Sequence, residues 1–531
     1  MRLRDHYDWI VLGDDPGALL SASLAAKLGL SVLILPLYPA PSVRITGGDD
    51  RSDKSVLDLE TNAIPGFGSG GLWDACLVGA GMAPQEQSQI LKSGSSPQVL
   101  TPRRRVLLDS DRTRFLSEVA REWGADLVES CGITDALKHA DPFIEKFWLD
   151  LPERLTLKAT RAELAKKTTP DQSDSPEFKK AVAGTDLGKL ADQLSRITGK
   201  EKGSVKDWFS TNTALGQWEA RNSQFDMLEF CEGVQAAVAD SQGSSETDLF
   251  SVLHQLALSR TTGSFLGGMS AFREYLLRLA RRNGADIPPK TDCRQIFIQN
   301  GRFAGVLPSI RGSMISGTGG ILGVPLEYIQ AMLTQSGRAW GKGFRTAPSP
   351  TGWKFTLALT LHPEAIPPGM ARRVIWQEKG APFIELERVH PSEYGQKDGN
   401  RVILFLRTVM PMTEESLSPS YQRLISARLL RKAAQISPFL EYHIRKIYPD
   451  FRTEGTRELH EVFGFKALTE IPPQLLVYSG KGMGAQSGVE GLFLSSRESF
   501  PAMGMHGGAI SALEGVAWVA HRSGLAGPLQ A

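Results

Sequence analysis

The chain has 531 residues, more than one hydrophobic core normally fills, so length alone predicts two or three domains. Its 60 basic residues against 58 acidic ones leave a net charge of +2, which gives no electrostatic footprint for nucleic acid. The four cysteines, Cys76, Cys131, Cys231 and Cys293, form no C-x-x-C pair and predict no metal centre or disulfide framework; a reducing cytoplasm suits them.

In chain order, the charged start Met1 to Asp8 and the short apolar run Trp9 to Leu12 predict no secretory signal. No stretch approaches the roughly 18 uninterrupted apolar residues of a membrane span, so a soluble or at most membrane-peripheral protein is expected. Tyr7 to Leu12 then reads as a buried strand, Gly13 to Gly17 as a glycine turn, Ala18 to Gly29 as a helix and Ser31 to Leu35 as a second strand. The small residues Ala18, Ser21, Ala22 and Ala25 suit close packing of that helix on a sheet. This is a βαβ unit placed where dinucleotide-binding folds carry their first phosphate turn.

Residues 85–255 are richer in helix formers, with a polar stretch from Lys166 to Lys206 that reads as an exposed excursion. The run Arg103-Arg104-Arg105, with Arg112 and Arg114, reads as a solvated or ion-paired surface, with lipid headgroups or an acidic partner as the alternative. Next come Gly267-Gly268-Met269 and a helix Ala271 to Arg282 whose Phe272, Tyr275, Leu276 and Leu279 share one face. An extended segment from Cys293, the hairpin signal Asn300-Gly301 and a return through Val306 follow.

From Gly352 to Thr408, alternating segments read as an antiparallel sheet, and so as a second domain inserted in an α/β chain. Trp353-Lys354-Phe355 and Phe463-Gly464-Phe465 predict an open, mainly apolar space between the domains, with plain core as the alternative. At the end, Gly491 to Leu494 reads as a buried strand, and Gly504-Met505-His506-Gly507-Gly508 opens a final helix Ala509 to His521. The histidines, among them His362, His390, His443 and His460, show no ligand spacing in sequence, and no metal is expected.

This order of blocks resembles the flavoprotein superfamily of phytoene desaturases, amine oxidases and Rab GDP-dissociation inhibitors, above all the bacterial phytoene-dehydrogenase-like proteins. The resemblance covers essentially the whole chain, at Gly13 to Leu35, Gly267 to Val306 and Gly491 to Ala517. It implies a Rossmann-like, three-segment FAD-type domain from residues 1–85, 256–345 and 456–531. Residues 86–255 and 346–455 would form an inserted α+β substrate or partner domain. It implies FAD as the cofactor and a site drawn from Gly13, Asp14, Asp15, Gly17, Ala18, Pro36, Cys293, Ser496, Arg497, Glu498, Met505, His506 and Gly507.

The departures from the family pattern bear on function. The family turn is G-x-G-x-x-G/A, and here Gly13-Asp14-Asp15-Pro16-Gly17-Ala18 puts Asp15 at the second glycine, where the backbone should approach the pyrophosphate. Two like charges about 4 Å apart repel by roughly 4 kcal/mol at an effective dielectric of about 20. Asp15 followed by Pro16 is also a good helix start, so its carboxylate can cap the N–H groups that a phosphate would use. At the end of the second strand, Leu35-Pro36-Leu37 lacks the family's acidic ribose ligand, and Ser495-Ser496-Arg497-Glu498 replaces a glycine-rich approach near the C-terminus.

His506 reads as a helix-start residue rather than a base, and no catalytic residue is assigned. The three departures count against ordinary FAD binding and favour a protein that has lost redox chemistry and binds an apolar ligand or a protein partner. The alternative is an FAD-dependent oxidoreductase, of desaturase or isomerase type, acting on a long apolar or isoprenoid-like substrate. Fold alone does not choose between them.

Overall fold

The computed structural model describes residues 3–36, 44–47, 55–58, 60–67, 71–93, 96–109, 111–126, 227–239, 262–289, 291–327, 329, 348–378, 380–394, 400–449, 467–478, 483–501 and 504–525. Lys166 to Lys206, His460 and Phe463 to Phe465 lie outside them.

Two large sheets organise these residues. The first has six strands in the order Cys293–Gln299, Arg302–Pro308, Ile315–Gly323, His6–Gly13 and Val32–Leu35, with Leu492–Leu494 also pairing Ile315–Gly323. His6–Gly13 runs parallel to both of its neighbours, and Leu492–Leu494 is parallel to Ile315–Gly323, so strands from the start and the end of the chain share one sheet. Cys293–Gln299 and Arg302–Pro308 form the hairpin that Asn300-Gly301 predicts; both turn residues have positive φ, 52° and 76°.

Helix Pro16–Lys27 packs between helices Gly268–Arg282 and Met505–Arg522. It is buried almost all round, which is why its sequence is small and apolar rather than amphipathic. Gly268–Arg282 keeps Phe272, Tyr275, Leu276 and Leu279 on its buried face. Trp9, fully buried, donates its ring N–H to Ser21 Oγ at 3.0 Å, so the indole fills the core without stranding its polar atom.

The second sheet has eight strands in the order Ile444–Tyr448, Gly352–Leu361, Val402–Pro411, Ile384–Val389, Arg373–Trp376, Gln98–Leu100 and Arg105–Leu107, with Leu476–Val477 pairing Gly352–Leu361. It is antiparallel except where Arg373–Trp376 meets Gln98–Leu100. Trp353 and Phe355 lie in its closed apolar core, which was the plain-core alternative for them.

The opposite face of that sheet is polar and equally buried. Lys354, Arg373, Glu385, Glu387 and Arg407 stand there with side chains at most 3% exposed. Glu385 takes Arg373 Nε at 2.9 Å, Arg407 Nη1 at 3.3 Å and Lys354 Nζ at 3.3 Å, and Arg407 Nη1 also reaches Glu387 at 2.6 Å. The segment Glu60 to Asn62 covers this layer: Arg407 donates to the Glu60 carbonyl at 2.9 Å, and Thr61 Oγ1 donates to Glu385 at 3.3 Å. Two members of the arginine group have partners within the chain. Arg104 donates to the Glu122 carbonyl and lies over the Trp123 ring, and Arg114 faces Asp109 at 3.9 Å. No described helix is long and apolar enough to cross a membrane.

Candidate functional site

The first strand ends at Gly13, whose φ of 106° belongs to glycine and where a Cβ would stand 2.7 Å from the Gly323 carbonyl. The chain then turns through Asp14 and Asp15 into Pro16–Lys27, with Pro16 in the first helical turn. Asp15 donates its N–H to the Gly323 carbonyl at 3.2 Å. Its Oδ1 accepts from Gly17 N at 2.9 Å and from Ser495 Oγ at 2.9 Å. The carboxylate therefore sits on the helix start, held from one side by the backbone and from the other by the residue after strand Leu492–Leu494.

The space around it is tight. A Cβ on Gly17 would fall 2.4 Å from the Gly508 carbonyl and 2.3 Å from Ser495 Oγ, so the first turns of Pro16–Lys27 and Met505–Arg522 meet backbone to backbone. On Gly508 it would lie 3.5 Å from Asp15 Oδ1. At 17 only glycine allows this approach.

Burial pushes the Asp15 carboxyl up to about 6, against the lowering effects of the Ser495 and Gly17 bonds and of Arg273 and Arg497. Asp14 is also raised by burial, with Arg273 opposing and Glu60 adding. Arg273, on helix Gly268–Arg282, donates Nη1 and Nη2 to the two oxygens of Glu60 at 2.7 and 2.8 Å. Burial disfavours its charge, but Glu60, Asp14 and Asp58 outweigh that and hold the guanidinium firmly protonated.

A cleft opens at this point, with a cavity volume of about 60 Å³. Pockets for drug-sized ligands run to about 300–1,000 Å³. Its charged lining comes from Asp14, Asp15, Glu60, Arg273, Arg373 and Arg497, and its apolar lining includes Trp73, Met269, Val324, Pro325 and Met505. The cleft spans the two sheets, since Arg373 belongs to the second, and it mixes charge with the apolar character that the sequence predicts.

Of the residues that the sequence points to, Asp14, Asp15, Gly17, Ser496, Arg497 and Met505 line this cleft. Gly13 and Ala18 stand behind it, against Gly323. Gly507 packs on Phe500, and His506 is buried with its ring beside Gly66. Burial holds the His506 imidazole down, to about 4, which keeps it neutral near pH 7. Glu498 accepts from Leu326 N at 2.6 Å and Ser496 Oγ at 3.0 Å, and burial pushes it up to about 7. Pro36 and Cys293 are not among the lining residues; Cys293 is buried in an edge strand, with its thiol donating to the Gln295 carbonyl at 3.3 Å.

Sequence reasoning missed Glu60, Arg273, Trp73 and Arg373. Each comes from a different part of the chain, and no local pattern joins them. The available signal was Arg273 itself, a charge between Phe272 and Tyr275 in the first turns of a helix that faces the core.

No family model and no curated protein sequence matches the chain. Among solved structures, a putrescine oxidase variant from a structure-based redesign of cofactor binding matches at 14% identity over 97% of this chain and 99% of that one, with a TM-score of 0.50. The chain has the fold of the FAD-dependent oxidoreductases. Rab GDI from Plasmodium falciparum is similar at 10% identity over 94% of each chain, TM-score 0.49. An oxidoreductase from Methanosarcina mazei matches at 15% identity over 94% of this chain and 99% of that one, TM-score 0.48. At such identities the likeness is one of fold, not of activity.

Proposed function

We propose that this chain is a non-redox member of the flavoprotein fold, which acts by binding an apolar ligand or a protein partner. One observation carries the reading: the Asp15 carboxylate occupies the helix start that a dinucleotide pyrophosphate would need. A pyrophosphate brought there meets a buried negative charge, finds the Gly17 N–H already taken and enters a gap narrowed by Gly508. These residues do not fit FAD in the usual pose.

Arg273 and Arg497 lie close enough to lower the Asp15 pKa, and they supply the observation behind a second reading. With those cations offsetting Asp15, the chain would be an FAD-dependent oxidoreductase acting on a long apolar or isoprenoid-like substrate.

Titrating FAD into the purified chain, read by quenching of flavin fluorescence, separates the two. The non-redox reading expects a colourless preparation, no quenching in the wild type, and measurable binding only after Asp15→Gly. That substitution removes the charge and frees the Gly17 N–H, and it should raise affinity by at least about tenfold. A yellow preparation, or a wild type that binds as well as the variant, would sink the non-redox reading in favour of the oxidoreductase.

A further inference from the structure

The far end of the second sheet holds a cluster that neither the cleft nor the nucleotide turn uses. His362 follows the last residue of Gly352–Leu361, Glu364 lies two residues on in a short 3-10 turn, and His443 closes the helix before Ile444–Tyr448. The two strands pair at Leu361 and Ile444, and the His362 N–H donates to the His443 carbonyl at 3.1 Å. Backbone pairing therefore fixes both imidazoles side by side, with ring centres 6.2 Å apart and planes 29° apart.

One ligand atom from each of His362, Glu364 and His443 can be chosen so that all three lie within 4.8 Å of one another. His362 Nδ1 faces Glu364 Oε2 at 3.5 Å and, among the described residues, makes no hydrogen bond although it is buried. Its other nitrogen, Nε2, is held by the Asn400 side-chain amide at 3.2 Å. The amide's orientation is interchangeable, so Asn400 Oδ1 can accept from Nε2–H.

We propose that His362, Glu364 and His443 form a binding site for a divalent transition metal of the zinc class. Two imidazole nitrogens and a carboxylate oxygen are the donor set that zinc accepts at about 2.0–2.2 Å, and a tetrahedron of that size has edges of about 3.3 Å. The His362–Glu364 spacing already matches such an edge, and Glu364, with a side chain 76% exposed, is free to turn toward the metal. Asn400 supplies the outer hydrogen bond that fixes a ligating histidine's tautomer and ring orientation. Three protein ligands leave one position for water or a ligand. Hard ions such as Mg²⁺, which take oxygen donors, are disfavoured.

The site is separate from the cleft. None of its three residues lines the cleft, and Lys354, which donates to the cleft residue Thr61, stands eight positions before His362 on the extended strand, or about 26 Å at about 3.3 Å per residue. A bound metal would pin edge strand Ile444–Tyr448 to its neighbour Gly352–Leu361.

The test uses the full chain, free of any histidine tag and stripped of metal, titrated with Co²⁺ by visible absorbance and then with Zn²⁺ in competition. One equivalent of Co²⁺ should give tetrahedral absorption that Zn²⁺ abolishes, and Zn²⁺ should raise the melting temperature. His443→Ala should lose both responses, while Asn400→Ala should weaken binding by about tenfold. Glu364→Ala changes an exposed residue and so keeps the fold; it should weaken binding with an unchanged melting temperature in the absence of metal. A wild type that binds no Co²⁺ or Zn²⁺ at high micromolar concentrations overturns the proposal. So does a Glu364→Ala or His443→Ala variant that binds with wild-type affinity, since the metal would then sit on other histidines.

Discussion

Two carboxylates, one in each sheet region, are shifted in opposite directions by their surroundings. Asp15 is held by a backbone N–H and a hydroxyl, with cations only at a distance, and burial wins: its pKa rises to about 6. Glu385 is fully buried, yet Arg373, Lys354 and Arg407 together outweigh that burial and hold the carboxyl well below the ordinary range. Burial sets the cost of a charge, and the partner's own charge decides whether that cost is met. The region of the second sheet is built around permanent ions, whereas the start of Pro16–Lys27 is built around an ion on the edge of being neutral.

The largest effect should come from breaking the cationic side of this comparison. Glu385→Gln removes the counter-charge that three buried cations share, and it should destabilise the chain by about 3–5 kcal/mol in chemical denaturation. A loss below about 1 kcal/mol would mean that Glu387 and the backbone carbonyls already carry those cations.

A smaller effect is expected in the pH dependence of Asp15. Its folded pKa lies above the ordinary value of 3.8, so the folded state binds the extra proton between pH 3.8 and about 6. Its contribution to stability is fully present below pH 3.8 and is lost as pH rises through about 6, amounting to about 3 kcal/mol over that window. Asp15→Asn removes the titration. The stability difference, wild type minus variant, should therefore fall as pH rises across the window, and a difference that stays flat would place Asp15 among better-satisfied carboxylates.

Ser495→Ala should have the smallest effect and sharpens the same point. It takes away one hydrogen bond to a charged group, worth about 1.5–3 kcal/mol, but protonation of Asp15 offsets part of that loss. Its clearer signature is an Asp15 titration moved above 6, read from the same pH series; an unmoved midpoint would show that the hydroxyl has no hold on the carboxylate.

The sequence made the first strand, the glycine turn, the helix after it, the Asn300-Gly301 hairpin and the final helix readable, because each carries its own local signal. It hid the strand that joins them. Ile315–Gly323 reads Ile-Ser-Gly-Thr-Gly-Gly-Ile-Leu-Gly, with too few β-branched residues to suggest a strand, yet it is central to the first sheet. Its glycines are there because of what surrounds them. A Cβ on Gly319 would meet Trp518 at 2.8 Å and Trp9 at 2.9 Å, and on Gly317 it would meet Ile10 at 2.8 Å and Phe303 at 2.9 Å. The bulk that would have marked the strand sits on its neighbours.

The candidate site divides in the same way. Asp15 was legible as a helix cap because capping is local, and the sequence also placed Ser496, Arg497 and Met505 near it. The Glu60–Arg273 pair was not legible, since its members are 213 residues apart. The alternation in Gly352–Leu361 and Val402–Pro411 marked an antiparallel sheet but not what covers its polar face, which lies beneath Glu60 to Asn62. Alternation reports that two faces differ and does not say that either one meets water.

The contact between Asp15 and Gly17 also amounts to a competition between a tethered ligand and any free one. A carboxylate attached to the chain meets its N–H partner at an effective concentration that a dissolved anion does not reach, so an incoming phosphate must first displace a resident that cannot diffuse away. A proton is the simplest agent that weakens the resident. Above about pH 6 the neutral fraction of Asp15 falls tenfold per unit, and the accessibility of this helix start to any outside anion should fall with it.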